Sequence, residues 1–203
     1  MIRTIAASKM TVTPTLLVAY GGPWAENYFY TNESPLKNDK LRRFTPYEEF
    51  SSKIRRRAGA LGGWFTEDDH VFSKHAQGMR ALVESGGLAG IGSHGQLQGL
   101  GYHWELWSVA SGGMSNHDAL KTATILGATG LGLDKDLGSI EPGKLADLIL
   151  MDRNPLENIR NTNSISRVMK NGRLYDGLTL DEIYPAKRPL ETGWQKPDPR
   201  FQK

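Results

Sequence analysis

With 203 residues, the chain is long enough to bury one sizeable hydrophobic core, with room for a small second domain. Its 38% hydrophobic and 23% charged residues are typical of an ordered, soluble protein, and the absence of cysteine excludes disulfides and thiolate metal sites. The formal charge of +3 comes from scattered basic residues with no interleaved aromatic platform, so we predict no nucleic-acid partner.

No segment is predicted to enter a membrane. The apolar run at residues 16–19 is far too short to cross a bilayer, and the N-terminal residues lack the charged-then-apolar order of a signal peptide. The protein is therefore expected to be soluble, with the cytoplasm and the periplasm both open as its compartment.

The beginning of the chain is predicted to form one strand and a long loop. Residues 2–10 are interpreted as the end of a helix or a connector, and residues 11–18 as a β-branched strand. Pro14 favours a strand start, an edge or the rim of a barrel, because proline donates no backbone hydrogen bond. Residues 24–45 are aromatic and polar, which is typical of a long loop that covers a site.

Two helices are predicted next. Thr45 is an N-cap followed by Pro46 at the first helical position, and this helix is expected to end near residues 57–60. Thr66 caps a second start, from which a helix is predicted over about residues 67–85.

The segment around which the sequence is organised lies at residues 90–107. It follows a short apolar run at residues 87–91, which is predicted to be a buried strand, and it leads into a helix predicted over residues 103–111. α/β folds place their chemistry in polar, glycine-rich loops at strand ends. This segment contains five glycines, and it carries five side chains able to bind a metal, a proton or a substrate: Ser93, His94, Gln96, His103 and Glu105.

The last third of the chain changes from helical spacing to alternation. A helix capped by Ser115 is predicted to run to about Leu131, and a strand is predicted at residues 146–152. The pair Asn171-Gly172 between two apolar runs indicates a β-hairpin. From about Ile183 the chain is rich in Pro, Lys, Gln and Asp and is interpreted as a partly ordered tail.

Several of these stretches together resemble the C-terminal third of metal-dependent amidohydrolases. The order of a helix, then Gly-Ser-Ile-Glu-Pro-Gly-Lys-Leu-Ala-Asp at residues 138–147, then Val-x-x-Asn-Gly at residues 168–172 is long and highly specific. The sequence is most similar to the imidazolonepropionase and prolidase-like branch, which includes members joined to a Tol-type β-propeller. The resemblance covers about residues 11–177, and it is carried by residues 114–133, 137–152, 154–156 and 168–172.

This resemblance implies an α/β fold made of a partial TIM-type (β/α)8 barrel and the C-terminal part of a small β-sandwich. The chain would supply the last two strands and helices of the barrel, with residues 12–18 resembling the seventh strand and residues 88–92 the eighth. The expected domains are residues 1–133 as the barrel portion, 134–180 as the sandwich segment with its hairpin, and 181–203 as the tail.

The resemblance also implies a divalent metal, with zinc as the candidate, at the C-terminal ends of the barrel strands. The family's His-x-His pair and its middle-strand ligands have no counterpart here, so the remaining ligands are absent from this chain. The eighth-strand Asp, a metal ligand and general base in most members, is His94 here. An imidazole can bind a divalent metal, but near neutral pH it is a different base from a carboxylate.

Position and resemblance favour His94 as a metal ligand or catalytic base over a histidine that only hydrogen-bonds in its loop. Ser93 and Gln96 are balanced between substrate binding and bonding to the loop backbone. His103 and Glu105 lie two residues apart and face different sides of a helix, so at most one of them reaches the site, and we favour His103.

Aromatic residues and the other histidines are assigned less specific roles. Tyr20 and Trp24 follow the first predicted strand and are predicted to line the substrate pocket, with aromatic packing as an equal alternative. His70 and His75 lie five residues apart, off the spacing that puts two ligands on one helix face, and are interpreted as surface residues. His117 is interpreted as part of an N-cap turn.

The leading hypothesis is that the complete protein is a metal-dependent hydrolase that cleaves a C–N bond in an amide, a cyclic amide or a dipeptide. A divalent metal would lower the pKa of bound water toward ~7 and polarise the carbonyl, and His94 would bind that metal or handle the proton. The competing hypothesis is a catalytically incomplete fragment or half-barrel that needs an N-terminal partner, because strands seven and eight would expose unpaired edges. Whether Met1 is the true start, and whether the chain forms homo-oligomers, are left open.

Overall fold

The structure is a computed structural model that describes residues 1–19, 21–58, 65–94 and 97–190. It is a mixed α/β arrangement in which helices dominate the first two thirds of the chain and a four-stranded antiparallel sheet follows. Within these residues, no helix combines the length and the apolar character that crossing a membrane requires.

Eight α-helices and six strands occur in the described residues. The helices are α1 Ile2–Ala7, α2 Ala25–Asn32, α3 Asp39–Phe44, α4 Tyr47–Ala58, α5 Phe72–Glu84, α6 Leu100–Ala110, α7 Asn116–Thr122 and α8 Ile125–Gly130. The strands are β1 Thr11–Val12, β2 Leu88–Ala89, β3 Leu148–Met151, β4 Ile165–Lys170, β5 Arg173–Asp176 and β6 Glu182–Tyr184. Short 3-10 turns lie at Leu16–Val18, Pro35–Lys37, Glu67–Asp69 and Ile159–Asn163.

The strands β1 and β2 form a two-stranded parallel sheet, with Thr11 opposite Leu88 and Val12 opposite Ala89. The predicted strand at residues 11–18 is therefore wrong beyond Val12. Pro14 has no N–H to donate to a neighbouring strand, and Leu16–Val18 turns into a 3-10 helix instead. The second predicted strand, at residues 87–91, is likewise shorter than expected and ends at Ala89.

The predicted long loop at residues 24–45 is also wrong, because it contains α2 and α3. The side chain of Asn38 caps α3 by accepting a hydrogen bond from the backbone N–H of Leu41 at 2.8 Å. The helix predicted after Pro46 is confirmed as α4. The next helix, α5, begins at Phe72, five residues later than predicted, since residues 67–69 form a 3-10 turn.

The core lies between α2, α5 and α6 and is strongly aromatic. Trp104 of α6 is fully buried and stacks on Phe29 of α2, with ring centroids 5.4 Å apart and planes 11° apart. Trp107, one turn later, is 5% exposed, and its indole Nε1 donates to the carbonyl oxygen of Ile159 at 3.0 Å. Trp104 thus lies in the core of the helical layer, and Trp107 connects α6 to the segment that precedes β4.

The backbones of α5 and the end of α6 approach closely at Gly112. A Cβ at this buried position would lie 2.3 Å from the carbonyl carbon and 2.6 Å from the carbonyl oxygen of Ala76. Real Cβ atoms do not come this near to backbone, so the contact requires glycine. It brings the backbones of two helices that contribute to the core close together.

Replacing Gly112 with alanine is expected to lower the free energy of unfolding by about 2–3 kcal/mol, since the added methyl group must displace helix backbone. The matched control is Gly78→Ala in the middle of α5, where a Cβ meets no atom within 4 Å. That change is expected to raise stability by up to about 1 kcal/mol through helix propensity. Urea unfolding of both variants provides the measurement, and equal effects of the two changes would contradict the close packing at Gly112.

The strands β3 to β6 form a sheet in sequence order with every neighbouring pair antiparallel. The predicted hairpin is confirmed: β4 and β5 are joined at Asn171 and Gly172, whose φ angles of 48° and 77° are those of a type I′ turn. Asp147 binds the turn by accepting from the backbone N–H of Asn171 at 2.7 Å. Glu182–Tyr184 pairs with β5, so these residues belong to the sheet and not to a tail.

The helix predicted from Ser115 to about Leu131 is two helices, α7 and α8, separated at Thr124. The predicted cap is confirmed, because the Ser115 hydroxyl accepts from the backbone N–H of Asp118 at 3.0 Å. Thr124 has φ −134° and ψ −105°, outside the helical range, which breaks the run.

Candidate functional site

The candidate site is built where β1 and β2 end side by side. Because the strands are parallel, the residues after Val12 and those after Ala89 leave the sheet at the same edge. The backbone N–H of Gly90 donates to the carbonyl oxygen of Val12 at 3.0 Å. A Cβ at Gly92 would lie 2.7 Å from the carbonyl oxygen of Pro14, so the two segments remain in close contact beyond the strands.

His94 lies two residues past this contact and is exposed. Its φ angle of +57° is in the left-handed region, which few non-glycine residues occupy, although histidine is enriched there together with asparagine and aspartate. Such conformations persist where the surroundings impose them, and they are concentrated at functional sites. Ser93, the preceding residue, is half-buried. His94 comes five residues after the end of β2, further from the strand than predicted, and its chemical role stays a prediction.

Of three other residues predicted to bind substrate, one lies in the described part of the chain. Tyr20 and Gln96 lie outside the described residues. Trp24 is half-buried and precedes the first turn of α2, which follows β1 in the chain. Their assignment to substrate binding stays a prediction.

His103, the favoured substrate-binding residue of α6, is engaged with the segment before β4. Its Nδ1 lies 3.1 Å from the hydroxyl of Thr162, which also accepts a hydrogen bond from the Trp107 indole at 3.0 Å. Burial, and secondarily the nearby Lys40 ammonium, lowers the pKa of His103 from 6.5 to about 4. The imidazole is therefore neutral at pH 7, and it links α6 to the 3-10 turn at Ile159–Asn163.

Glu105, which sequence reasoning ranked below His103, is the most deeply buried charged side chain of α6, with none of its surface exposed. Its carboxylate accepts hydrogen bonds from the backbone N–H groups of Leu16 at 2.8 Å and Leu17 at 2.9 Å. Burial raises its pKa from 4.5 to about 7, although the two backbone hydrogen bonds act in the opposite direction. The signal in the sequence was a carboxylate between Trp104 and Leu106 in an apolar helix, since such a group requires buried partners.

The described residues do not fit a complete metal centre. Among residues 1–19, 21–58, 65–94 and 97–190, no three histidine, aspartate or glutamate side chains come close enough together to hold a metal ion. Both oxygens of Glu105 accept from backbone, and Nδ1 of His103 faces Thr162. His94 as a metal ligand thus stays a prediction that needs further ligands.

The remaining histidines differ from one another in exposure. The interpretation of His70 as a surface residue is wrong, because it is 9% exposed and packs edge-on against Tyr28 with ring centroids 5.5 Å apart. Tyr28 belongs to α2, and the spacing of the histidines gives no indication of this contact. His75, on the outer face of α5, is exposed as predicted. His117 is exposed in the first turn of α7, which agrees with its predicted place at the N-cap.

A separate cleft of about 470 Å³ opens between α2, α5, α6 and the turn at Ile159–Asn163. Its walls combine aromatic side chains, with Tyr28, Phe72 and Trp107 among them, and polar ones. The guanidinium carbon of Arg160 lies 5.0 Å from the centre of the Trp107 ring, a distance at which a cation and a ring face attract each other. Of the predicted site residues, the four that the structure describes, Ser93, His94, His103 and Trp24, do not line this cleft.

Comparison with protein families identifies the chain. The model of the amidohydrolase family matches residues 47–175, more than half of the sequence. The chain belongs to the amidohydrolase family. The family resemblance expected from residues 114–172 is thereby confirmed, and the match begins at the first residue of α4 and ends within β5.

Individual amidohydrolases show what the chain is similar to. It is 54% identical over 41 residues to a 5-methylthioadenosine/S-adenosylhomocysteine deaminase of Teredinibacter turnerae, an alignment that covers 20% of this chain and 9% of that enzyme. It is 56% identical over 39 residues to an imidazolonepropionase of Picrophilus torridus, covering 19% of this chain and 10% of that enzyme.

Solved structures extend the similarity to most of the chain. A crystal structure of a Xaa-Pro dipeptidase with methionine bound in its active site is 25% identical, with a TM-score of 0.53. It covers 87% of this chain, and the chain covers 37% of the dipeptidase. A prolidase complexed with N-methylphosphonate-L-proline, 19% identical with a TM-score of 0.50, has the same fold over 86% of the chain and 37% of its own length. The chain thus spans well under half of these relatives.

Proposed function

We propose that the protein containing this chain is a hydrolase that cleaves C–N bonds of a small amide, cyclic amide or peptide substrate. Membership of the amidohydrolase family supports the reaction class. The main structural support for a site is the left-handed backbone conformation of His94, which follows the edge where two parallel strands end. A histidine held in that conformation at a strand end fits a group that must present its imidazole to a substrate.

In this proposal, β1 and β2 are the last two strands of a TIM-type barrel, and β3 to β6 belong to the small sandwich. His94 supplies a metal ligand or the group that moves the proton, while Ser93, Gln96, His103, Tyr20 and Trp24 contact the substrate. His103 fits this role least well, since its Nδ1 already meets Thr162. A divalent metal, with zinc as the candidate, requires ligands other than those that the described residues offer.

The alternative function is that of a catalytically incomplete polypeptide that acts only with an N-terminal partner. Two observations favour it: the parallel sheet has only two strands in the described residues, and those residues supply no metal cluster. Each of β1 and β2 therefore has one edge without a strand partner in the described part of the chain, a position where a further strand can pair. In either case the proposed protein is soluble and its substrate is a small molecule.

The test compares the 203-residue chain with a longer polypeptide that carries an in-frame His-x-His segment upstream of Met1. Both are loaded with zinc and assayed against a prolyl dipeptide, a cyclic amide and 5-methylthioadenosine, with mass spectrometry of the products. The proposal expects cleavage of a C–N bond by the longer polypeptide. Activity only after mixing the chain with a separate N-terminal polypeptide would support the alternative, and a metal-loaded longer polypeptide that cleaves none of the three substrates would overturn the hydrolase assignment.

A further inference from the structure

Glu105 is a carboxylate buried in an otherwise apolar stretch of α6. None of its surface is exposed, and its neighbours in the chain, Trp104 and Leu106, are 0% and 2% exposed. Taking a carboxylate out of water costs several kcal/mol unless good hydrogen bonds replace its hydration. An apolar residue at this position would avoid that cost, so the carboxylate must do something that an apolar side chain cannot.

The contacts of Glu105 show what it holds. Its Oε1 accepts from the N–H of Leu16 and its Oε2 from the N–H of Leu17, at 2.8 and 2.9 Å. These are the first two N–H groups of the 3-10 turn at Leu16–Val18, and the first N–H groups of a helix have no partner inside the helix. The two contacts span 88 and 89 residues of chain, so they tie α6 directly to the segment that follows β1.

That segment also lies against the backbone leading to His94. Thr13 to Thr15 connect β1 to the turn held by Glu105. A Cβ at Gly92 would be 2.7 Å from the Pro14 carbonyl oxygen and 3.4 Å from the Thr15 hydroxyl oxygen. Movement of Leu16 and Leu17 away from α6 would therefore change the surface against which Gly92 packs. His94 is only two residues further along the chain.

We infer that Glu105 is a positioning residue for the His94 site, holding residues 13–17 in the place that gives residues 90–94 their backbone path. The inference rests on the proposed function only because it treats His94 as a residue of the catalytic site. A carboxylate suits this task because two neighbouring N–H groups need two acceptor oxygens side by side. A glutamine offers one oxygen, and its amide group would oppose the second N–H.

The experiment records histidine imidazole NMR resonances of the full chain labelled with ¹³C-histidine, in the parent and in Glu105→Gln, at about pH 8.5, where Glu105 is ionised because burial raises its pKa only to about 7. The chain has five histidines, and the His94 signal is assigned with His94→Asn. The matched control is Glu182→Gln, which makes the same chemical change at a carboxylate that is 9% exposed and accepts from Arg173 at 2.9 Å in the antiparallel sheet. Unfolding free energies of both variants are measured in urea.

We expect the His94 resonance to shift or split in Glu105→Gln and to keep its position in Glu182→Gln, while the exposed His117 is unchanged in both. A His94 resonance that stays in place although Glu105→Gln loses stability would overturn the inference and leave Glu105 as a structural anchor. This readout does not require hydrolysis. Absence of activity in the parent would therefore count against the proposed function without affecting the result for Glu105.

If Glu105→Gln does not fold, amide hydrogen exchange of the unchanged chain tests the same inference. The N–H groups of Leu16 and Leu17 donate to Glu105, and the N–H of Gly90 donates to Val12. If Glu105 holds the two segments as one unit, the three amides open together and exchange with the same opening free energy. Exchange of Gly90 that is much faster than that of Leu16 and Leu17 would show that the segments open independently, and the inference would be wrong.

Discussion

Replacing His94 with asparagine is expected to lower kcat/KM for C–N bond hydrolysis by about a hundredfold, within the range for loss of a group that transfers a proton. Asparagine is preferred to alanine because the φ angle of His94 is +57°, and asparagine tolerates the left-handed region. The change then removes the imidazole while leaving the backbone conformation accessible. The measurement is steady-state kinetics on the active polypeptide identified by the substrate comparison.

The control for this experiment is His75→Asn. His75 is an exposed histidine of α5, and its replacement is expected to leave kcat/KM within about twofold of the parent, as for most surface changes. Unfolding in urea separates loss of activity from loss of folded protein. A His94→Asn variant that is folded and as active as the parent would remove His94 from the proposed chemistry.

Elements with short-range signals were predictable from the sequence. The hairpin around Asn171 and Gly172 needs two consecutive residues with positive φ, and that pair of residues is the one that provides them most readily. The start of α4 after Pro46 and the Ser115 cap of α7 also depend on side chains within a few residues. In each case the interaction that fixes the element lies within one turn of chain.

Elements fixed by distant contacts were not predictable in the same way. The β-branched residues 11–18 have the composition of a strand, but the N–H groups of Leu16 and Leu17 bind Glu105 in a helix almost 90 residues away. His70 has the spacing of a surface residue, but it is buried, with Tyr28 of α2 packed against it. Neither partner can be identified by local spacing, since tertiary packing decides which face of the segment is covered.

In the candidate site, too, features set by local sequence were predictable and those set by distant contacts were not. The position of His94 after a strand follows from its glycine-rich neighbourhood, and the structure adds the close contact of Gly92 with Pro14. The ranking of His103 over Glu105 depended on which side of α6 faces the strand ends. The structure shows Glu105 against the turn after β1 and His103 against Thr162. Helical spacing alone separates the two side chains by direction, but it does not say which direction is inward.

Glu105 and the half-buried His103 of α6 are expected to give opposite pH dependences of stability that cancel in the parent chain. Glu105 has its pKa raised from 4.5 to about 7, so between these values the folded state keeps a proton that the unfolded chain has lost, and stability falls as pH rises. His103 has its pKa lowered from 6.5 to about 4, so the unfolded chain holds the extra proton, and stability falls as pH falls. Between about pH 4.5 and 6.5 these two effects oppose each other.

Single substitutions should reveal each effect. One pH unit corresponds to about 1.4 kcal/mol per group, so across the shared window each group changes the free energy of unfolding by roughly 3 kcal/mol. Relative to the parent, Glu105→Gln is expected to gain about that much stability from pH 4.5 to 6.5 because only the His103 effect is left. His103→Gln is expected to lose a similar amount over the same interval.

Urea unfolding of the parent and the two variants at several pH values between 4.5 and 6.5 measures these slopes. Taking the difference between each variant and the parent removes the contribution of carboxylates such as Asp147, whose pKa is lowered chiefly by its hydrogen bond with Lys170. His75→Gln, at an exposed position of α5, is the matched histidine variant measured beside them. Opposite slopes would establish that α6 carries a neutral histidine on one side and a proton-retaining carboxyl on the other. Parallel curves would mean that at least one of these groups is hydrated in solution, which for Glu105 would require the turn at Leu16–Val18 to open.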